Sequence, residues 1–215
     1  MNLVVRDKPC LVVGGGKVAI RKVGGLLRSG AAVTVVAPWV HPEILKLESV
    51  RVFERPYQRG EVASYRLAIT CTDDAAVNAQ VFRDAEAAGV WSNSADDPVN
   101  CAFILPAVAW QGDLSVAIST AGKSPALASW LRRRFEAEFD DRYAELLDLL
   151  VEVRAEARSH FGTSEIPGWN EAMDSGLFDV LQNAGPDAAR EQLRSYLNLP
   201  ELPLSDLTPS DEVAV

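Results

Sequence analysis

The chain is poor in the side chains that bind metals or form cross-links. Its 215 residues include two histidines and three cysteines. The histidines, His41 and His160, are far apart in sequence, and no Cys-x-x-Cys pair is present. A dedicated zinc site is therefore not expected, and no residue is assigned to metal. Cys10, Cys71 and Cys101 are odd in number and widely spaced, which argues against a disulfide framework. Each lies in an apolar, strand-like context, where buried free thiols are common. Long hydrophobic runs are also missing. None approaches the ~20 residues that a membrane helix requires. The segment Met1–Lys8 lacks a charged-then-apolar export pattern. These absences predict a cytoplasmic protein without a membrane partner.

Positive charge is scarce as well. Lys and Arg number 21 against 30 Asp and Glu, a formal net charge of −9. Non-specific nucleic-acid binding needs a basic face, so no nucleic-acid partner is expected. An anionic ligand would have to be met by a few cations gathered locally.

Against these absences, one stretch stands out. Leu11-Val12-Val13 runs into Gly14-Gly15-Gly16-Lys17-Val18-Ala19, which fits G-x-G-x-x-[GA] between an apolar strand and a helical pattern. In a dinucleotide site Gly14 makes the tight turn and Gly16 lets the backbone approach the pyrophosphate. Ala19 permits close helix–sheet packing, and the helix N-terminus directs N–H groups, from Lys17 and Val18 onward, at phosphate. The alternative is a plain structural turn, which the strand–turn–helix context disfavours. The acidic residue that usually closes the second strand is missing. That strand ends Ala37-Pro38-Trp39, so ribose recognition falls to backbone groups or Trp39. No arginine stands there either, which favours NAD over NADP.

Apolar runs at 10–13, 32–37, 50–54, 65–72 and 90–94 alternate with helical patterns at 17–29, 41–47 and 74–88. This predicts an α/β fold, a Rossmann-like doubly wound parallel sheet. After Asp97-Pro98 the pattern changes. Runs at 102–108 and 114–119 flank Gly112-Asp113, a hairpin signal. Helical periodicity then dominates at 126–138, 140–161, 170–183 and 186–197. The expected domains are an NAD-binding Rossmann domain over 1–98, a β-rich dimerisation hairpin over 99–124 and a helical domain over 125–200. A polar tail, 201–215, is expected to fray. A lone hairpin is marginal in water, and pairing with a second chain would remedy that, which suggests a homodimer.

Several motifs recur in order. They are V-G-G-G-x-V-A-x-R-K, V-T-V-V-A-P, T-D-D-x-x-V-N at 72–78, S-N-S-A-D-D-P at 92–98, F-I-L-P at 103–106 and S-T-A-G-K-S-P-A-L-A at 119–128. The chain resembles the precorrin-2 dehydrogenase family, which includes the N-terminal module of siroheme synthase, over roughly residues 2–160. The resemblance implies NAD-dependent oxidation of precorrin-2, a tetrapyrrole, to sirohydrochlorin on the route to siroheme, by a homodimer. Some relatives also insert Fe²⁺ into sirohydrochlorin, so a bifunctional dehydrogenase and ferrochelatase is an alternative. A reading of another class is an NAD-sensing regulatory domain without catalysis. Such sensors commonly keep the acid at the second strand end, which this chain lacks.

The resemblance makes Asp96 the catalytic residue. Hydride removal from a tetrapyrrole must be matched by proton loss, and a carboxylate beside an apolar macrocycle can act as base. Asp97 stands where relatives often carry an uncharged residue, which leaves open which carboxylate acts. Thr72 and Asp73 are expected near the nicotinamide side of the cofactor. Either Asp73 or Asp74 can also cap the next helix. Ser119, Thr120, Gly122, Lys123 and Ser124 are assigned to substrate. Ser124 can also cap a helix that begins at Pro125. Lys123 and Arg132, Arg133 and Arg134 are the densest cations, suited to the carboxylates of the substrate. Three consecutive arginines fan around a helix, so they cannot all face one site. His160 is expected at the C-terminal cap of the long helix, and His41 in an exposed loop.

Overall fold

A computed structural model describes residues 3–95 and 97–200. The chain divides into two compact units, one ending at Leu105 and the other starting at Pro106.

The first unit contains β1 (Pro9–Val13), α1 (Lys17–Arg28), β2 (Ala32–Ala37), α2 (Pro42–Leu45), β3 (Val50–Glu54), β4 (Leu67–Thr70), α3 (Ala75–Ala88) and β5 (Trp91–Ser94). Short 3-10 turns lie at Glu61–Ser64 and Pro98–Asn100. All five strands are parallel, in the order β3-β2-β1-β4-β5. This is the doubly wound sheet that the alternating pattern predicts. The order reverses between β1 and β4, and open α/β sheets bind ligands at the carboxyl edge beside such a reversal.

Strands β1 and β2 are valine-rich and buried along nearly their whole length because both sheet faces are covered there. Side chains alternate across the sheet. Cys10 and Val12 of β1 join Val33 and Val35 in a core closed by Ala19, Val23 and Leu26 of α1. Leu11 and Val13 point the other way and meet Ala68, Val81 and Ala85. Each such valine or leucine contributes about 1.5–3 kcal/mol when fully buried. Helix α3 starts at Asp74, whose carboxylate accepts from the N–H groups of Ala76 (2.8 Å) and Val77 (3.2 Å). It ends at Gly89 in the left-handed region, φ 67°.

The chain between β3 and β4 is tied to α3 through Asp84. Its Oδ2 accepts from Tyr57 Oη (2.9 Å) and the Gly60 N–H (2.7 Å), and its Oδ1 from Gln80 Nε2 (2.7 Å). Partial desolvation raises the Asp84 pKa, but these donors and Arg59 outweigh it and hold it below the usual value. The stabilisation is therefore present above the unfolded-state pKa and lost as pH falls through the folded one. Asp84→Ala is expected to cost about 1 kcal/mol, modest because the carboxylate is well solvated. Thermal melting at pH 7 and pH 3 checks this, and the wild-type advantage should shrink at the lower pH.

In the second unit, β6 (Ala107–Gln111) and β7 (Leu114–Ile118) form an antiparallel hairpin. Gly112, φ 55°, lies in its turn. The first strand starts five residues later than the apolar run suggests. Ala102 and Phe103 are drawn to β5 instead. The Ala102 N–H donates to Ser92 O (2.8 Å), and Asn93 Nδ2 donates to Phe103 O (2.8 Å). Helices α4 (Pro125–Glu138), α5 (Asp141–Phe161), α6 (Trp169–Asp174), α7 (Leu177–Ala184) and α8 (Pro186–Tyr196) follow. The single helical pattern at 170–183 is two helices, because the chain turns at Ser175-Gly176 with Gly176 at φ 84°. Leu146, Leu149, Val153 and Ala157 of α5 form a core with residues of α6, α7 and α8.

Two expectations are corrected in this unit. The hairpin is not alone, because α4 lies against β6 within the same chain and Ala109 is buried. Its stability therefore does not demand a second chain. Helix α5 is capped by Gly162, φ 73°, and not by His160. His160 is exposed in the last turn, edge-on to Phe161. Among the described residues, no helix is long and apolar enough to cross a membrane. The expected tail, 201–215, lies outside the described residues.

Candidate functional site

The glycine turn sits at the carboxyl end of β1, where the strand order reverses. Its three glycines meet three different surroundings. Gly14 is at φ 118°, and a Cβ there would lie 2.5 Å from the Cys71 carbonyl oxygen. A Cβ on Gly15 would collide with the Trp39 carbonyl and lie 2.8 Å from Val40 Cα. A Cβ on Gly16 would meet nothing within 4 Å. The turn is thus pressed between the β4–α3 loop on one side and the β2–α2 loop on the other, and only Gly16 faces open space. Backbone bonds fix it further. The Gly14 N–H donates to Val36 O (2.9 Å), and the His41 N–H donates to Gly15 O (2.9 Å). Sequence reasoning counts Gly15 with the cofactor-binding glycines, and its packing against a loop more than twenty residues away comes from the fold.

Gly16 is also the N-cap of α1. It offers no side-chain cap, and the first turn of α1 carries no acidic residue. The leading N–H groups of the helix therefore lack a side-chain partner of their own. That is the geometry that suits a phosphate. Lys17 is exposed at the first helical position, Val18 is half-buried and Ala19 is fully buried against the sheet. A pyrophosphate fits this cradle, because it needs close backbone approach, open space and unpaired donors together.

On the β2 side, Ala37 is buried at the strand end, followed by Pro38 and Trp39. The Trp39 ring is 60% exposed and stands edge-on to His41. An exposed indole beside a nucleotide turn offers a flat surface to an adenosine. His41 is not merely exposed. It is the N-cap of α2, its Nδ1 accepting from the Glu43 N–H (3.2 Å).

On the β4 side, Asp74 is the helix cap, while Asp73 is exposed. The Thr72 hydroxyl is turned into its own loop. Its Oγ1 accepts from the Asp74 N–H (3.1 Å) and lies 3.0 Å from Asn78 Oδ1, to which it can donate. Asn78 Nδ2 donates back to Thr72 O (2.9 Å). Thr72 thus shapes the loop beside Gly14, with its hydroxyl committed there. Cys10 is fully buried in β1, where burial pushes its thiol up to about 11 and disfavours the thiolate.

Asp96 lies outside the described residues. Its neighbours are described. Asp97 is half-buried, and its Oδ2 accepts from Asn100 Nδ2 (2.6 Å).

The segment 119–124 belongs to the second unit. Thr120 O accepts from the Lys123 N–H (2.9 Å) across Ala121 and Gly122, both left-handed at φ 50° and 76°. Two central residues of positive φ mark a type I′ turn. An alanine there is strained, which often marks a functional loop. Ser119 Oγ accepts from the Ala121 N–H (3.2 Å), Thr120 Oγ1 from the Ser124 N–H (3.1 Å) and Ser124 Oγ from the Leu127 N–H (3.2 Å). Each hydroxyl keeps its own O–H for a ligand. Ser124 caps α4 with Pro125 first in the helix, as the Ser-Pro pair predicts. Lys123 is exposed. The arginines are engaged on their own helix. Arg132 pairs with Glu136, Arg133 donates to Ser129 Oγ (3.2 Å), and Arg134 lies 5.2 Å from the Trp130 ring centroid. Among the described residues, no group of three or more His, Cys, Asp or Glu could hold a metal ion.

Fold and turn together define a nucleotide-binding α/β protein of the Rossmann type. Residues 1–107 match a family described as NAD(P)-binding, and residues 111–138 match the sirohaem biosynthesis protein central family. These stretches span most of the chain, which is similar to the siroheme-biosynthesis family through both of them. The siroheme synthase of Methylococcus capsulatus is 39% identical over 207 residues, covering 88% of this chain and 44% of that protein. The siroheme synthase of Methylobacillus flagellatus is 34% identical over 199 residues, covering 90% and 43%. The chain therefore spans less than half the length of these relatives. Among solved structures, SirC, a precorrin-2 dehydrogenase, matches with a TM-score of 0.67 at 27% identity. That match covers 91% of this chain and 97% of SirC.

Proposed function

We propose that the protein is an NAD-dependent precorrin-2 dehydrogenase, which forms sirohydrochlorin for siroheme. The observation that carries this reading is the cradle at Gly16, open and uncapped, in a chain that aligns with SirC over nearly its full length. The bound nicotinamide supplies a hydride acceptor. The residues of the chain do the rest. Gly14, Gly15 and Gly16 with the N–H groups of α1 hold the pyrophosphate, and Lys17 adds charge. Ala37, Pro38 and Trp39 border the adenosine. Asp73 and the Thr72 backbone border the nicotinamide side. Asp96 takes the proton that leaves the substrate as the hydride departs. Ser119, Thr120, Gly122, Lys123 and Ser124 bind substrate carboxylates and polar edges through the O–H, N–H and ammonium donors of the turn.

The reading includes a cytoplasmic location and a homodimer. Exposed Trp110, Leu127 and Trp130 on the second unit are the apolar groups a dimer would cover.

Purified protein mixed with precorrin-2 and NAD should form NADH and the sirohydrochlorin spectrum in equal amounts. Absence of turnover with both NAD and NADP would overturn the dehydrogenase reading. Sirohydrochlorin with Fe²⁺ or Co²⁺, offered without NAD, tests whether the protein also inserts metal.

A further inference from the structure

We propose that Asp97, Asn100 and Cys101 form a brace that positions the loop carrying Asp96, with Asp97 a positioning carboxylate and not a second base. The proposal rests on the dehydrogenase reading above. Strand β5 ends at Ser94, and the chain is back beside it at Ala102, whose N–H donates to Ser92 O. The chain thus leaves β5 and returns to it within a few residues.

The tie is the Cys101 thiol. Its sulfur accepts from the Ser94 N–H (3.2 Å), with Asn93 Nδ2 at 3.5 Å. It lies 3.3 Å from Ser94 O and 3.2 Å from Asp97 O. The single thiol proton can go to either carbonyl, while the sulfur lone pairs take the incoming N–H groups. A side chain in this place therefore needs both donor and acceptor capacity and a long reach. A second tie crosses the loop. Asp97 Oδ2 accepts from Asn100 Nδ2, and Asp97 O accepts from the Asn100 N–H (3.2 Å). On the other side of Asp96, the Ala95 N–H donates to Thr70 O (2.9 Å) at the end of β4. Both chain neighbours of Asp96 are thus anchored, one to the sheet and one to Cys101 and Asn100. The Asp97 carboxylate is already committed to Asn100, which is a poor state for a base that must meet substrate.

A displacement of about 1 Å at a reacting group can cost roughly 100-fold in rate. Asp97→Ala and Cys101→Ala should therefore lower kcat by about 10- to 100-fold with KM for NAD unchanged. Asp97→Asn, whose amide oxygen can still accept from Asn100, should restore most of the kcat lost in Asp97→Ala. Cys101→Ser, with a shorter reach, should restore only part. Amide hydrogen exchange over residues 95–100 should quicken in Cys101→Ala while strands β1 and β4 exchange as before. Asparagine at 97 as damaging as alanine, kcat within twofold of wild type in both alanine variants, or unchanged loop exchange would overturn the brace. If the wild-type protein fails to oxidise precorrin-2, the dehydrogenase reading falls, and the exchange measurement alone decides the brace.

Discussion

Asp96→Asn is expected to abolish precorrin-2 oxidation while leaving NAD affinity at its wild-type level. The two side chains are nearly identical in size, so the loop and its ties should stand. The amide cannot take a proton at neutral pH. If Asp96 removes the proton that accompanies hydride loss, kcat should fall by about 10²–10⁴-fold, the usual contribution of a positioned base. In the proposed reading NAD is held by the glycine turn, the α1 N-terminus and the Trp39 side of the sheet, and residue 96 is not assigned to that set. Steady-state NADH formation measures the first quantity and isothermal titration with NAD the second. Wild-type turnover in this variant would remove Asp96 from the chemistry. A joint loss of turnover and NAD binding would make it a cofactor contact instead.

The second large effect separates two adjacent glycines. Gly15→Ala should unfold or strongly destabilise the first unit, because its Cβ would meet the backbone of Trp39 and Val40. Backbone cannot move aside as a flexible side chain can, and overpacking of this kind costs about 3 kcal/mol. A Tm fall of roughly 12–24 °C is expected for the first unit. Gly16→Ala should leave Tm within a few degrees, since nothing lies within 4 Å of the added carbon in the free protein. The new methyl would instead stand where the pyrophosphate must approach. NAD affinity should drop at least about tenfold, equivalent to about 1.4 kcal/mol. Differential scanning fluorimetry with and without NAD reads both effects. If Gly16→Ala binds NAD normally, the phosphate does not sit over Gly16, and the cradle has been placed on the wrong residue.

The contrast between these glycines shows where sequence reasoning stops. Both are glycine in one motif, and pattern alone gives both to the cofactor without separating Gly15 from Gly16. The packing role of Gly15 comes from Trp39, which only the pairing of β1 with β2 brings alongside. The same holds for Thr72. The sequence offers its hydroxyl to a cofactor, but the fold turns it to Asp74 and Asn78. At 96–97 the sequence presents two carboxylates, and the loop geometry ties Asp97 to Asn100.

Much was nevertheless determined locally. The alternation of valine-rich runs with helical spacing was enough for the parallel sheet, because burial on both faces demands that composition. Asp74 and Ser124-Pro125 marked helix starts, since a cap bonds residues two to four positions away and its signal is confined to a few neighbours. The glycine turn was legible for the same reason. What the tertiary structure alone decided are contacts between segments far apart in sequence. These include the cover that α4 gives the hairpin, the pull of β5 on Ala102 and Phe103, and the ties of Cys101 to Ser94 and Asp97. Such contacts depend on strand order and on which loops the sheet lays side by side, and no short-range pattern encodes that placement.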